Sequence, residues 1–109
     1  FMALKEANDG KAWYQWEPAL IKRAPATLDS WGRRLNTEIV FHKFLQFVFY
    51  SQWSQIKLYA NERDVNIIGD IPIYVAQDSA DVWSNPENFC IDEETYEPSL
   101  MAGVPPDYF

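Results

Sequence analysis

A chain of 109 residues suffices for one ordinary domain or for part of a larger one, and 48% hydrophobic content with 17% aromatic residues is too rich for a disordered segment. Sixteen acidic against nine basic side chains leave a net charge of −7 without a basic cluster, which argues against nucleic acid and anionic membrane as partners. The lone Cys90 excludes an internal disulfide and fits a reducing, cytoplasmic compartment, and with the single His42 it cannot by itself assemble a zinc site.

Residues 1–5 read as the last turn of a helix that ends before Asn8-Asp9-Gly10, a turn or C-cap signal. The stretch Ala12-Trp13-Tyr14-Gln15-Trp16-Glu17-Pro18 is aromatic and bounded by proline. Its plain reading is a loop pinned to the surface by Trp13 and Trp16. The sharper one is an aromatic platform on which sugar rings stack. Pro18 and Pro25 each suit the first turn of a short helix, and residues 26–34 can form a helix that breaks near Gly32.

A long helix is predicted from about residue 36 to residue 62, with Asn36 or Thr37 as N-cap and Glu38 well placed in its first turn. Lys43, Gln46, Tyr50, Ser54, Lys57 and Asn61 recur at spacings of three and four and draw one narrow polar stripe. Most of the remaining surface is apolar, with Phe41, Phe44, Phe47, Phe49 and Trp53 prominent. A helix of that kind is expected to be buried on several sides. At about 1.5 Å per residue it runs ~40 Å, longer than one layer of so small a domain requires. Its densest apolar run, residues 39–50, is broken by His42, Lys43 and Gln46 and is too short to span a bilayer.

Arg63-Asp64 then leads into Val65-Asn66-Ile67-Ile68-Gly69-Asp70-Ile71-Pro72-Ile73-Tyr74-Val75-Ala76. An apolar run this rich in β-branched residues reads as a parallel strand buried on both faces. Pro72 cannot donate to a ladder, so Asp70 stands where the strand leaves its sheet. In α/β folds that carboxyl end is where chemistry collects. A long helix joined by a short link to a buried strand is the αβ half of a repeating unit, so the fold class is α/β.

Downstream, Asp78-Ser79-Ala80-Asp81 resembles a capping box and starts a short helix through Val82-Trp83, stopped by Ser84-Asn85-Pro86. Asp78 and Ser79 read as caps rather than ligands, and Trp83 as an anchor for a loop. His42 reads as a packed or surface residue, Cys90 as a small buried side chain, and Asp92-Glu93-Glu94 as a solvated turn. Residues 89–102 form a small hairpin or an irregular excursion, followed by the rigid loop Gly103-Val104-Pro105-Pro106-Asp107-Tyr108-Phe109. A long, aromatic, proline-rich excursion after a strand's carboxyl end is more often functional than accidental. Neither end carries a polar tail, so the chain is expected to be a fragment of something longer.

Several adjoining blocks resemble one family, the 4-α-glucanotransferases (amylomaltase or disproportionating enzyme) of the α-amylase superfamily. They are Phe41-His42-Lys43-Phe44-Leu45-Gln46-Phe47, Gln52-Trp53, Tyr59-Ala60-Asn61-Glu62-Arg63, residues 67–76, Asp78-Ser79-Ala80-Asp81-Val82-Trp83, and residues 102–109. Residues 1–34 are similar more loosely, through Ala3-Leu4-Lys5 and Trp13-Tyr14-Gln15-Trp16. One departure is visible: Asp64 stands where relatives commonly have Gly.

The resemblance implies a piece of a (β/α)8 TIM barrel that moves α-1,4-glucan segments between maltooligosaccharides or starch-derived glucans, with no cofactor. Residues 1–34 are then peripheral helices and loops, 35–76 the long helix with the third barrel strand, and 77–109 a loop region on the active-site side. Asp70 supports the sugar beside the scissile bond, and Tyr74 joins it in substrate binding. Asp107 is implied to hydrogen-bond sugar hydroxyls, while Tyr108 or Phe109 offers an apolar face. A retaining double displacement needs a carboxylate nucleophile and a carboxyl acid/base about 5 Å apart, and in this family both come from later strands. The chain alone is therefore expected to be inactive. A single barrel strand with two open edges beside exposed apolar helix surface is also expected to self-associate. The alternative class is a non-catalytic carbohydrate-binding or helical interaction module.

Overall fold

The computed structural model describes residues 1–100 and 103, and helices dominate it. Helix α1 (Met2–Ala7) is closed by Asn8, after which Asp9 and Gly10 take positive φ and the Gly10 amide bonds back to the Lys5 carbonyl at 2.8 Å. Glycine is suited to that left-handed turn because it has no Cβ to clash. A 3-10 turn (Trp13–Gln15) follows. Pro18 and Pro25 open α2 (Pro18–Ile21) and α3 (Pro25–Arg34) in their first turns, where a missing N–H costs nothing.

Helix α3 runs through Gly32 instead of breaking there. One glycine inside a helix costs only about 1 kcal/mol against alanine. Nearby side chains offset part of that: Asp29 accepts from Arg33 at 2.7 Å, and the Arg34 guanidinium lies 4.2 Å from the Trp31 ring centre. Leu35 alone separates α3 from α4 (Asn36–Asn61), so neither Asn36 nor Thr37 is the N-cap. Its φ of −104° and ψ of 24° leave no room for an extended capping residue between the two helices.

The core joins the two ends of the described chain and bypasses most of α4. Leu4, Trp13, Trp16 and Leu20 pack against Val82 and Trp83 of α5 (Ala80–Ser84). The Trp16 and Trp83 rings meet edge-on at 5.6 Å. Each buried indole N–H has an acceptor: Gln77 O for Trp13 at 2.6 Å, Lys11 O for Trp16 at 3.0 Å and Leu20 O for Trp83 at 3.0 Å. Trp13 is only 1% exposed, which removes the reading of this stretch as an open sugar platform.

Helix α4 packs on α1 and α3 but is not buried on several sides among the described residues. Phe41, Phe44, Phe47 and Phe49 all face solvent, Phe47 at 67% exposure. Nor does the predicted strand form among the described residues: residues 65–76 have no regular secondary structure, bend at Ile73 and Tyr74, and leave Ile68 93% exposed. A strand forms only when a neighbouring segment pairs with its N–H and C=O groups, and the described residues supply no second run to do so. The lone β pairing among them is the antiparallel bridge Ile91–Pro98, beyond the 3-10 turn Pro86–Asn88. Cys90 is exposed rather than buried, because the half-buried Phe89 and Ile91 flank it and side chains alternate along extended backbone.

Candidate functional site

Asp70 lies in the stretch after α4, and its carboxylate is exposed. Its Oδ1 accepts the amide N–H of Ile71 at 2.8 Å, and it forms no other hydrogen bond or ion pair among the described residues. Pro72 follows two positions later and withholds a backbone donor. Tyr74 is half exposed and lines a groove of about 450 Å³. Ile73 and Val75 line it beside Tyr74, and Phe89, Cys90, Ile91, Pro98 and Leu100 come from the excursion. Gln77 and Val82 complete the lining, and Asp70 is not part of it. The structure therefore gives the two residues separate surroundings. Asp107, Tyr108 and Phe109 lie outside the described residues.

The chain next to this groove is tied down at Gln77 and Asp78. Lys5 of α1 pairs with Asp78 Oδ2, and the Trp13 amide donates to Asp78 Oδ1 at 3.3 Å. The Gln77 side-chain amide donates to the Tyr96 carbonyl at 2.6 Å. Asp78 is thus not a cap; Ser79 is, its hydroxyl accepting from the Val82 N–H at 3.3 Å. Sequence reasoning gave neither Lys5 nor Gln77 a role near the groove. Lys5 and Asp78 are 73 positions apart, and no local pattern announces a pair that only tertiary packing brings together.

The excursion closes on an Asx turn. Asp92 Oδ1 accepts from the Thr95 N–H at 2.8 Å, the Thr95 hydroxyl at 3.0 Å and the Glu94 N–H at 3.0 Å. The Thr95 amide first, then its hydroxyl and the Glu94 amide, hold this carboxyl below the usual aspartate range. His42 is half-buried against α1, with Nε2 3.3 Å from Glu6 Oε1 but not aligned for a hydrogen bond. Among the described residues no three His, Cys, Asp or Glu side chains gather as a metal site, and no helix is long and apolar enough to cross a membrane. An apolar groove edged by a phenol and an amide suits a ligand with both apolar faces and hydroxyls.

Comparison with known proteins gives one answer along the whole chain. The family profile described as 4-alpha-glucanotransferase matches residues 1–109. The chain is 59% identical over 109 residues to a 4-alpha-glucanotransferase of Synechocystis sp. and 48% identical over 109 residues to one of Thermus thermophilus. Each match covers 100% of this chain and 22% of the relative. An amylomaltase from Streptococcus agalactiae, solved in complex with acarbose, superposes with a TM-score of 0.88 at 42% identity, over 99% of this chain and 22% of that one. The chain thus spans about a fifth of the length of the relatives it matches.

Proposed function

This chain belongs to the 4-alpha-glucanotransferase family, and from that premise we propose that it is a segment of an enzyme transferring α-1,4-glucan chains between maltooligosaccharides or starch-derived glucans. The observation that carries the reading is the TM-score of 0.88 to an amylomaltase over 99% of the chain. On this reading α4 and residues 65–71 are one helix and the third strand of a (β/α)8 barrel, and the rest of the barrel covers the phenylalanines of α4. The exposure of Ile68 and Ile71 supports this, since both are apolar groups left without the neighbours a barrel strand has.

Asp70 then sits at the strand's carboxyl end beneath the sugar beside the scissile bond, and Tyr74 offers its ring to glucan. Asp107 bonds sugar hydroxyls, with Tyr108 or Phe109 against an apolar sugar face. The nucleophile and the acid/base of the retaining mechanism come from other parts of the enzyme, so residues 1–109 alone are inactive and self-associate through α4. The enzyme works in the cytoplasm without a cofactor.

Incubating the full-length enzyme with a single purified maltooligosaccharide tests this. It should give a ladder of longer and shorter glucans, whereas residues 1–109 alone should leave the substrate unchanged. A full-length enzyme that leaves glucan lengths unaltered overturns the proposal.

A further inference from the structure

Ile73, Tyr74 and Val75 belong to a stretch with no ladder of its own: among the described residues, no backbone–backbone hydrogen bond falls on residues 66–78. What holds this stretch at its far end is the pair Gln77 and Asp78. Three separate segments converge there: Lys5 and the Trp13 amide on the Asp78 carboxylate, the Trp13 indole on the Gln77 carbonyl, and the Tyr96 carbonyl on the Gln77 amide. Trp13 and Tyr96 also meet edge-on at 5.5 Å, which closes the arrangement.

We propose that Asp78 is a positioning residue for glucan binding, fixing through Lys5 and Trp13 the segment that presents Tyr74 to the groove. The inference rests on the transferase function proposed above. Each carboxylate oxygen takes a donor from a different segment, so both the direction and the depth of the chain at residue 78 are set. Tyr74 is four positions upstream on backbone that makes no backbone–backbone hydrogen bond among the described residues, so the ties at Asp78 and Gln77 set where this segment starts toward the groove. Misplacing a group that binds substrate and transition state alike raises KM and leaves kcat nearly unchanged.

The test is kinetic, in the full-length enzyme, with melting temperatures measured alongside. Asp78→Ala removes both contacts; Asp78→Asn keeps an acceptor for the Trp13 amide but loses the ion pair, as does Lys5→Met. Asp78→Ala should raise KM for a maltooligosaccharide about tenfold with kcat changed less than about twofold, and the other two variants should raise it about threefold. Combined with Tyr74→Ala, Asp78→Ala should add nothing, because both act on one contact. Multiplying effects overturn the proposal. So does a wild-type KM in Asp78→Asn and Lys5→Met, even with a lowered melting temperature, since that is what a merely structural tie produces. Those two variants carry the test if Asp78→Ala fails to fold. An inactive wild-type enzyme overturns the proposed function as well, whereas an active one with unaltered variants overturns the positioning role alone.

Discussion

The indole N–H of Trp83 donates to the main-chain carbonyl of Leu20 at 3.0 Å, across 63 positions of sequence. Both residues are buried, and this bond is one of the polar stitches in a mostly apolar seam, beside that from the Trp13 indole to the Gln77 carbonyl. Trp83→Phe removes this donor and the pyrrole part of the indole, while the Leu20 carbonyl keeps the Arg23 amide at 3.1 Å. The expected loss, from one hydrogen bond and some packing, is about 1–2 kcal/mol, read from the melting temperature of the full-length enzyme followed by tryptophan fluorescence.

Ser79 starts α5 by accepting from the Val82 amide. Ser79→Ala should destabilise that helix by about 1 kcal/mol, while Ser79→Asp should hold it, since Asp is an equally good cap. Amide hydrogen exchange at Val82 and Trp83 measures both.

Asp64 has φ of 57° and lets Val65 bond back to the Ala60 carbonyl at 3.0 Å, closing the end of α4. A side chain in the left-handed region costs roughly 1–2 kcal/mol, less for Asp than for most residues, and a negative charge at a helix C-terminus is unfavourable. Asp64→Gly should therefore raise stability by about 0.5–1 kcal/mol after glycine's greater unfolded entropy is subtracted. Asp64→Val should lower it, and thermal melting separates the two.

The turn around Asp92 should loosen in acid. Its carboxyl titrates below the usual aspartate range because Thr95 and Glu94 donate to the charged form. A folded pKa below the unfolded one gives stabilisation that is complete above the unfolded value and fades as pH falls through the folded value. Thr95→Val removes the hydroxyl donor and keeps both amides, so an NMR titration of the Asp92 carboxyl should show its pKa move part of the way back up.

Residues 1–109 made alone should form oligomers, because the phenylalanines of α4 are left exposed by the described residues. Sedimentation velocity at micromolar concentration is the measurement. A compact monomer that melts cooperatively is the contrary result.

The elements whose signals are local were readable from sequence. Proline at Pro18 and Pro25, the turn at Asn8-Asp9-Gly10, the spacing along α4 and the serine before α5 each act through neighbours within a few positions. The run predicted as a strand pairs with no neighbour among the described residues, for an equally physical reason. Residues 65–76 carry a strand's side chains, but strand pairing is a property of two segments, and apolar composition shows only that one is fit for it. Tyr74 is a candidate through the family resemblance alone, and in the structure it lines a groove. The Lys5–Asp78 tie was not readable, since a charge pair so distant in sequence leaves no periodic trace.

Because Leu20 and Trp83 meet across α4, the order of synthesis matters. The ribosome releases the N-terminal indoles first and their lid last, with the whole aromatic helix emerging in between. Sealing them means closing a loop of about 60 residues, an entropic toll on the order of 4 kcal/mol before any contact is made. A nascent chain halted short of Trp83 therefore presents open indoles and a bare phenylalanine helix together, the kind of surface that chaperones hold.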